Sequence, residues 1–435
     1  MTLSTPEPNL DSHYRESDLA RLGEHISRRQ SVEVIGMKRV GIGSMLSHFL
    51  EHEELYSKYI RNHARQLFVQ IDLNELIERE LLAFWRLTLK RIVDAGERTG
   101  SDTLIDLLRR EFRNAIQSDD LFLTVEAVRT SLRAIHQDDW LPTLFFLRFD
   151  RMDHLFTPDF QNNLAALNGV CDNELVFVLT GHRRLSHLSS ETYTATDFLP
   201  FMKTQFIKPA DVTSAGIVLD SLSARTGLAL SPRTRSQIMQ LSGGHIMYLR
   251  LLFILYTEHG GLTRSVYSND ERILLQSEEL TRHLNRIETG ILKKILEEET
   301  VSDEERSQGS YLWESGILTQ TDMIFSPLLA LHLPRLLESG SERSSKPFTR
   351  KENDLFNLLK DAMPEIVTRE TVASQVWPEY RAFGVSDWTI DRLVSRVRKK
   401  LQDRNSPYII ETIRTRGFRL AGTQTDAPAD QPLIP

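Results

Sequence analysis

One cysteine, Cys171, stands among 435 residues. A lone thiol excludes an internal disulfide and any metal site built on several cysteines. It suits a reducing cytoplasm, and Cys171 itself reads as a small buried side chain. Long apolar runs are also missing. The longest covers residues 251–256, far short of the roughly 20 residues that a membrane-spanning helix needs, so no membrane partner is expected. The opening MTLSTPEPNLDSHYRESD is polar, which argues against a cleavable secretory signal. The 13 histidines show no metal-ligand spacing, so no metal is expected. There is no repeat at a fixed period. Nor is there an excess of positive charge: a net −7 excludes a uniformly basic coat for nucleic acid.

What is present is the composition of an ordinary globular protein, 40% hydrophobic and 26% charged, long enough for two to four domains. The charge is unevenly spread. From Lys346 to Gly422, Lys and Arg outnumber Asp and Glu by 15 to 10, which leaves −12 on the remainder. A DNA-facing field would therefore sit at the C-terminal end.

That end holds residues 386–401, SDWTIDRLVSRVRKKL. As a helix it aligns Ile390, Leu393, Val394, Val397 and Leu401 on one face. Thr389, Arg392, Arg396 and Lys399 form an outer stripe, flanked by Arg398 and Lys400. An apolar spine with a basic outer stripe suits a helix seated on a core and entering a DNA groove, where guanidinium groups bond phosphates or guanine edges. A solvated basic face on an ordinary core helix fits the same pattern. The flanking segments favour the first reading. Residues 348–359 and 368–377 read as two shorter helices, with Thr368 as N-cap, Glu370 in the first turn and Pro378 as the stop. Residues 409–420 read as a hairpin carrying Arg414, Arg416 and Arg419. Helix, helix, basic helix and hairpin make a winged helix-turn-helix.

On FTRKENDLFNLL, VTRETVASQVW, IDRLVSRVRKKL and TIRTRGFRL, residues 347–422 resemble the C-terminal effector domain of OmpR/PhoB-type bacterial transcription regulators. The resemblance implies double-stranded DNA as partner. Two departures stand out. Thr415 replaces the usual wing glycine, and no strand-rich segment precedes Phe348.

Upstream, VEVIGMKRVGIGSML reads as a strand, a glycine-bearing loop and a helix, the layout of a phosphate-binding loop. Gly36 and Gly41 have the spacing of G-x-x-x-x-G-K-[ST]. Ile42 stands at the lysine position and Gly43 at the hydroxyl position. Ser44 comes one residue late, and Lys38 and Arg39 are the nearby cations. The charge for the β- and γ-phosphates and the Mg²⁺ ligand are both missing, which argues against turnover. A ligand-free turn and a loop that holds ATP or ADP without efficient hydrolysis both fit. LFFLRFDRMD reads as a strand ending in Asp150, a carboxylate placed for Mg²⁺, or paired with Arg148 or Arg151, or capping a turn. FVQIDL and ELVFVLTG supply two further strands, the latter ending at Thr180. Strands alternating with helices imply a parallel sheet.

These segments resemble the AAA+-related STAND-type P-loop ATPases. The resemblance continues through LSGGH, similar to a lid turn and with His245 as a packing residue, and through residues 310–333, similar to a small winged helix. The expected fold class is α/β: a P-loop NTPase-like parallel sheet with a helical lid and small winged helix, then a C-terminal winged helix-turn-helix domain. The expected divisions are a flexible lead at 1–18, a core at 19–200, a lid at 201–277, a first winged helix at 278–336, a linker at 337–347, the DNA-binding domain at 348–422 and a disordered tail at 423–435. Two functions compete. One is a transcription regulator whose body senses a ligand or a regulatory protein partner, or assembles as a homo-oligomer. The other is a nucleotide-dependent signalling or defence switch whose winged helix contacts protein.

Overall fold

The structure, a computed structural model, describes residues 10–76, 79–187, 202–341, 348, 350–376, 387–403, 406, 408–413 and 416–422. The expectations for residues 1–9, 342–347, Trp377, Pro378, Arg414, Thr415 and 423–435 lie outside them. The chain divides into two compact units, residues 1–334 and 335–435.

The first unit is built on five parallel strands, β1 (Val32–Gly36), β2 (Gln66–Asp72), β3 (Leu141–Leu147), β4 (Val176–Gly181) and β5 (Lys203–Ile207), in the order β2-β3-β4-β1-β5. β1 and β3 are buried along their whole length, as a parallel sheet covered on both faces requires. The fold class is α/β, as the alternation of apolar runs and helices implies. β5 has no counterpart among the expected strands. In its KTQFI only Gln205 and Ile207 are buried, because it closes the edge beside β1, so it carries no continuous apolar run. The sheet therefore extends past the expected core boundary at residue 200, and the lid helices begin with Val212–Thr226. The lead-in also differs from expectation. Leu10, Tyr14 and Arg15 are buried, and the first helix spans Glu16–Ser27.

Three helices, Leu81–Gly96, Asp102–Ile116 and Leu121–Gln137, lie between β2 and β3 in sequence. They share a core with the sheet. Phe84 stacks on Phe146 at 5.2 Å and meets Phe160 edge-on at 5.0 Å, and Phe177 stacks on Phe146 at 6.5 Å. Cys171 is buried nearby, and burial pushes its thiol up to about 12. The segment expected as a small winged helix holds helices Arg286–Leu296, Asp303–Gln308 and Tyr311–Glu314, a bridge between Leu318 and Ile324, and helix Pro327–Ser341. That last helix covers part of the expected linker.

The second unit contains helices Arg350–Asp361, Arg369–Val376 and Asp387–Asp403, then β6 (Tyr408–Ile413) paired antiparallel with β7 (Gly417–Gly422). Thr368 accepts from the Thr371 N–H at 3.2 Å, as an N-cap does. Val367 bridges to Phe418, so the chain before the second helix lies beside the wing. Gly417 makes this possible: its φ is 138°, and a Cβ there would come within 2.1 Å of the Val367 carbonyl oxygen. Among the described residues no helix is long and apolar enough to cross a membrane.

Phe146→Ala should lower the stability of the first unit by about 3–5 kcal/mol through the cavity it leaves among Phe84, Phe149 and Phe177. Urea unfolding followed separately for each unit should show that transition moving, with the winged-helix transition in place.

Candidate functional site

The carboxyl ends of the parallel strands bring together the loop after β1, Asp150 after β3 and the run after β4. In open α/β sheets this edge is where ligands bind. The β1 loop turns through Arg39, in the left-handed region at φ 64°, and Gly41 at φ 110°, and runs into helix Ile42–Glu51. Gly41 offers that helix no side-chain cap, so its first-turn N–H groups point forward unpaired by a cap. A Cβ at Gly43 would meet nothing within 4 Å, which leaves open space at the helix start.

The back of the loop is tightly held. The buried Arg15 guanidinium donates to the Val40 carbonyl at 2.8 Å and to the Lys208 carbonyl at 2.8 Å. His245 Nε2 donates to the Lys38 carbonyl at 3.0 Å, and Gln276 Nε2 donates to the same oxygen at 3.4 Å. His245 Nδ1 accepts from the Tyr248 N–H at 3.4 Å, so both ring nitrogens are used by the neutral form. Burial pushes this imidazole down to about 3. His245 is thus the lid residue that caps helix Ile246–His259 and clasps the loop, as its packing role implied. Arg39 pairs with Glu279 at 3.3 Å. A Cβ at Gly41 would come within 2.7 Å of Ile246 Cγ1 and 3.2 Å of the Tyr14 hydroxyl.

The front of the loop departs from a Walker site. A Cβ at Gly36 would lie 3.1 Å from Ile42 Cδ1, so the residue in the lysine position folds back over the strand end. Ser44 Oγ faces the Arg250 guanidinium at 3.5 Å. Asp150 pairs with neither of the arginines expected for it. Arg148 pairs with Asp72, and Arg151 donates to Asn74 at 2.9 Å. Asp150 instead meets His182 Nδ1 at 2.9 Å. Burial alone would raise this carboxyl, but the His182 hydrogen bond and the charges of His182 and Lys38 bring it below its ordinary value. His283 lies with its ring 4.1 Å from that of His182. Burial, then the charges of His182 and Lys38, push it down to about 4. Thr180 is occupied as well, accepting from the Arg148 N–H at 2.8 Å. A phosphate group fits the forward N–H groups and Lys38. A magnesium nucleotide does not fit in the Walker manner, since the hydroxyl ligand is missing and His182 holds the carboxylate.

His182, Arg15 and Gln276 are absent from the expected site. One signal is legible: HRR follows the polar end of an apolar strand, where cations reach the ligand edge. Arg15 and Gln276 carry no motif, because they act on loop carbonyls from distant segments.

In the second unit the spine Ile390, Leu393, Val394, Val397 and Leu401 is buried, as its spacing predicts. The cations divide. Arg398 Nε donates to the Ile410 carbonyl at 2.8 Å and its Nη2 to Thr412 Oγ1 at 2.7 Å, tying the helix to β6. Lys400 pairs with the buried Glu352 at 2.5 Å. Arg419 pairs with Glu411 across the hairpin at 2.5 Å. These three expected DNA contacts are committed within the domain. Arg396 and Arg416 are exposed. Thr389, Arg392 and Lys399 lie on the same helix, and their side chains lie outside the described residues. Arg369, which no sequence signal marks, pairs with Asp391 at 2.7 Å and covers the Phe418 ring at 5.0 Å.

Because His245 is neutral when folded and takes a proton at ordinary pKa when unfolded, it removes stability as pH falls from about 6.5 toward about 3. Its slope is at most about 1.4 kcal/mol per pH unit. Unfolding midpoints between pH 7 and 4 should fall less steeply in His245→Gln than in the parent chain.

A family model described as "Transcriptional regulatory protein, C terminal" matches residues 343–420. The transcriptional activator protein IrlR of Burkholderia pseudomallei, in strains 1026b and K96243, is 36% identical over 81 residues. That match covers 19% of this chain and 34% of the relative, so this chain spans about a third of the relative's length. Among solved structures, the Walker-type ATPase PABY2304 of Pyrococcus abyssi aligns at TM-score 0.47 and 17% identity, over 75% of this chain and 97% of its own. Cdc6p of Pyrobaculum aerophilum aligns at 0.39 and 14%, over 78% and 97%. The Aeropyrum pernix ORC1 protein, in complex with DNA, aligns at 0.39 and 11%, over 97% and 92%. The P-loop-like character of the first unit is carried by its own strand order and β1 loop, and the effector-domain likeness is carried by residues 343–420.

Proposed function

We propose that this chain is a DNA-binding transcription regulator: its C-terminal winged helix reads double-stranded DNA, and its ATPase-like body senses a ligand or a protein partner. The observation that carries the reading is the division of cations on helix Asp387–Asp403. Arg398 and Lys400 hold the domain together, while Arg396 stands exposed on the face opposite the buried spine. With Thr389, Arg392 and Lys399 in register beside it, this stripe suits a major groove, and Arg416 at the wing suits a backbone phosphate. The match of residues 343–420 to a transcriptional regulator's C-terminal domain supports the same assignment.

For the body, the forward N–H groups at helix Ile42–Glu51 and the nearby Lys38 support holding of ATP or ADP phosphates without hydrolysis. Nothing in the front of the loop supports a metal-assisted step.

The DNA assignment is checked by Arg396→Ala with Lys399→Ala, measured on genomic fragments selected by the parent chain. The double variant should bind at least tenfold more weakly, and its salt dependence should flatten by about 0.9 for each phosphate that it no longer neutralises. Full retention of binding would remove this helix from the interface. Arg398→Ala should instead lower the melting temperature of the domain. For the body, titration with fluorescent ATP and ADP should saturate in the micromolar range whether or not Mg²⁺ is present, with no phosphate release. No binding up to millimolar nucleotide would leave the loop a purely structural turn.

A further inference from the structure

The carboxyl edge of the sheet carries more positive charge than its own carboxylates use. β4 lies beside β1 with Gly181 opposite Ile35, so His182 begins the run that borders the β1 loop. His283 reaches the same place from the turn after helix Glu271–Thr281, with its ring 4.1 Å from that of His182 and its carbonyl accepting from Arg183 at 2.5 Å. The cations around them divide into two sets. Arg148 is spent on Asp72, Arg39 on Glu279 and Arg183 on Glu288. Lys38 and Arg282 form no ion pair with any described residue, and both lie near enough for their charges to act on His283. Asp150 is the carboxylate set against them, and His182 Nδ1 already occupies one of its oxygens at 2.9 Å.

A polar atom in this group is orphaned. His283 Nε2 is buried and has no hydrogen-bond partner among the described residues. With its pKa pushed down to about 4, the imidazole is neutral at ordinary pH. A buried nitrogen without a partner costs stability unless something outside the chain pairs with it. Beside two cations that no carboxylate neutralises, the partner that fits is an oxyanion.

A magnesium ion does not fit the same place. It takes oxygen ligands in a strict octahedral shell. Gly43 offers none at the hydroxyl position, Asp150 is engaged by His182, and an added cation would meet the charges of Lys38 and Arg282. In P-loop sites the metal neutralises the outer phosphate oxygens. We propose that Lys38, Arg282 and His283 stand in for that ion, so that the sheet edge takes the terminal phosphate of a nucleotide free of metal. This rests on the reading that the β1 loop holds nucleotide phosphates, and it adds the form of the nucleotide and the side chains that select it.

The test is isothermal titration of the full chain with ATP, once in EDTA and once in excess Mg²⁺, for the parent, Lys38→Met and His283→Phe. Lys38→Met spares the carbonyl on which His245 and Gln276 close, and His283→Phe keeps a ring against His182 while removing the orphaned nitrogen. The melting temperature verifies that both variants fold. The parent's dissociation constant should be about fivefold or more higher in Mg²⁺ than in EDTA, because complexed ATP brings less negative charge to the cations. Each variant should weaken binding in EDTA about tenfold or more and narrow the difference that Mg²⁺ makes. Binding that Mg²⁺ strengthens or leaves unchanged would overturn the proposal and leave the nucleotide reading in place. So would the parent's affinity retained in EDTA by either folded variant. No binding in either condition would overturn both.

Discussion

Two carbonyl oxygens on the loop after β1 carry much of the first unit's organisation. Val40 gives its oxygen to the buried Arg15, and Lys38 gives its oxygen to His245 and Gln276. Arg15 comes from the start of the chain, and the other two come from the lid more than 200 residues later. A loop carbonyl that turns backward obliges neighbouring N–H groups to turn forward, so these bonds set the direction of the cradle without touching a ligand. They also explain why the loop tolerates Arg39 in the left-handed region, a conformation that costs of order 1–3 kcal/mol unless its surroundings enforce it. The glycine at 41 allows Ile246 and Tyr14 to close against the loop from behind.

The same economy of groups divides the winged helix. Eight of its basic residues read alike in sequence, yet a guanidinium has five donors in a fixed fork and is as useful for joining a helix to a strand as for gripping a phosphate. Arg398 joins helix Asp387–Asp403 to β6, and Lys400 neutralises a buried carboxylate on Glu352. Leaving Glu352 unpaired would cost several kcal/mol, because a buried charge without a partner cannot recover its hydration. Arg396 and Arg416 stand exposed, and among the described residues neither is given such a duty to a buried group.

Much of this is legible in the residues alone. The 3.6-residue spacing of Ile390, Leu393, Val394, Val397 and Leu401 marks the buried spine, and the apolar runs ending in Asp150 and Thr180 mark two central strands. β5 is not legible, because an edge strand needs burial on one face only and KTQFI has no run to betray it. The partner of Asp150 escapes sequence reasoning for a related reason. Arg148 and Arg151 are near in sequence, but a strand end directs its neighbours to different sides, and only the adjacent strand β4 delivers a side chain, His182, at hydrogen-bond distance. Nor can spacing separate Arg396 from Arg398. That distinction depends on which side of the helix β6 occupies.

The run after β4 shows how a change at the ligand edge would reach the rest of the first unit. His182 holds Asp150 through its side chain, while its carbonyl accepts from the Tyr311 hydroxyl at 2.8 Å. The next residue, Arg183, is buried on Glu288 through two bonds of 2.6 and 2.5 Å and lies 3.8 Å over the Tyr311 ring. Arg184 pairs with Glu314 at 2.8 Å. Glu288 also closes the capping box that starts helix Arg286–Leu296. Three consecutive residues thus fasten the sheet edge to two helices of the segment that follows the lid. Buried ion pairs are poor at small adjustments, because partial separation exposes charge to a low-dielectric interior. A ligand that displaced His182 from Asp150 would have either to leave this fastening whole or to move both helices with it. Coupling of that kind is discrete: the fastening either stays whole or is given up together with both helices.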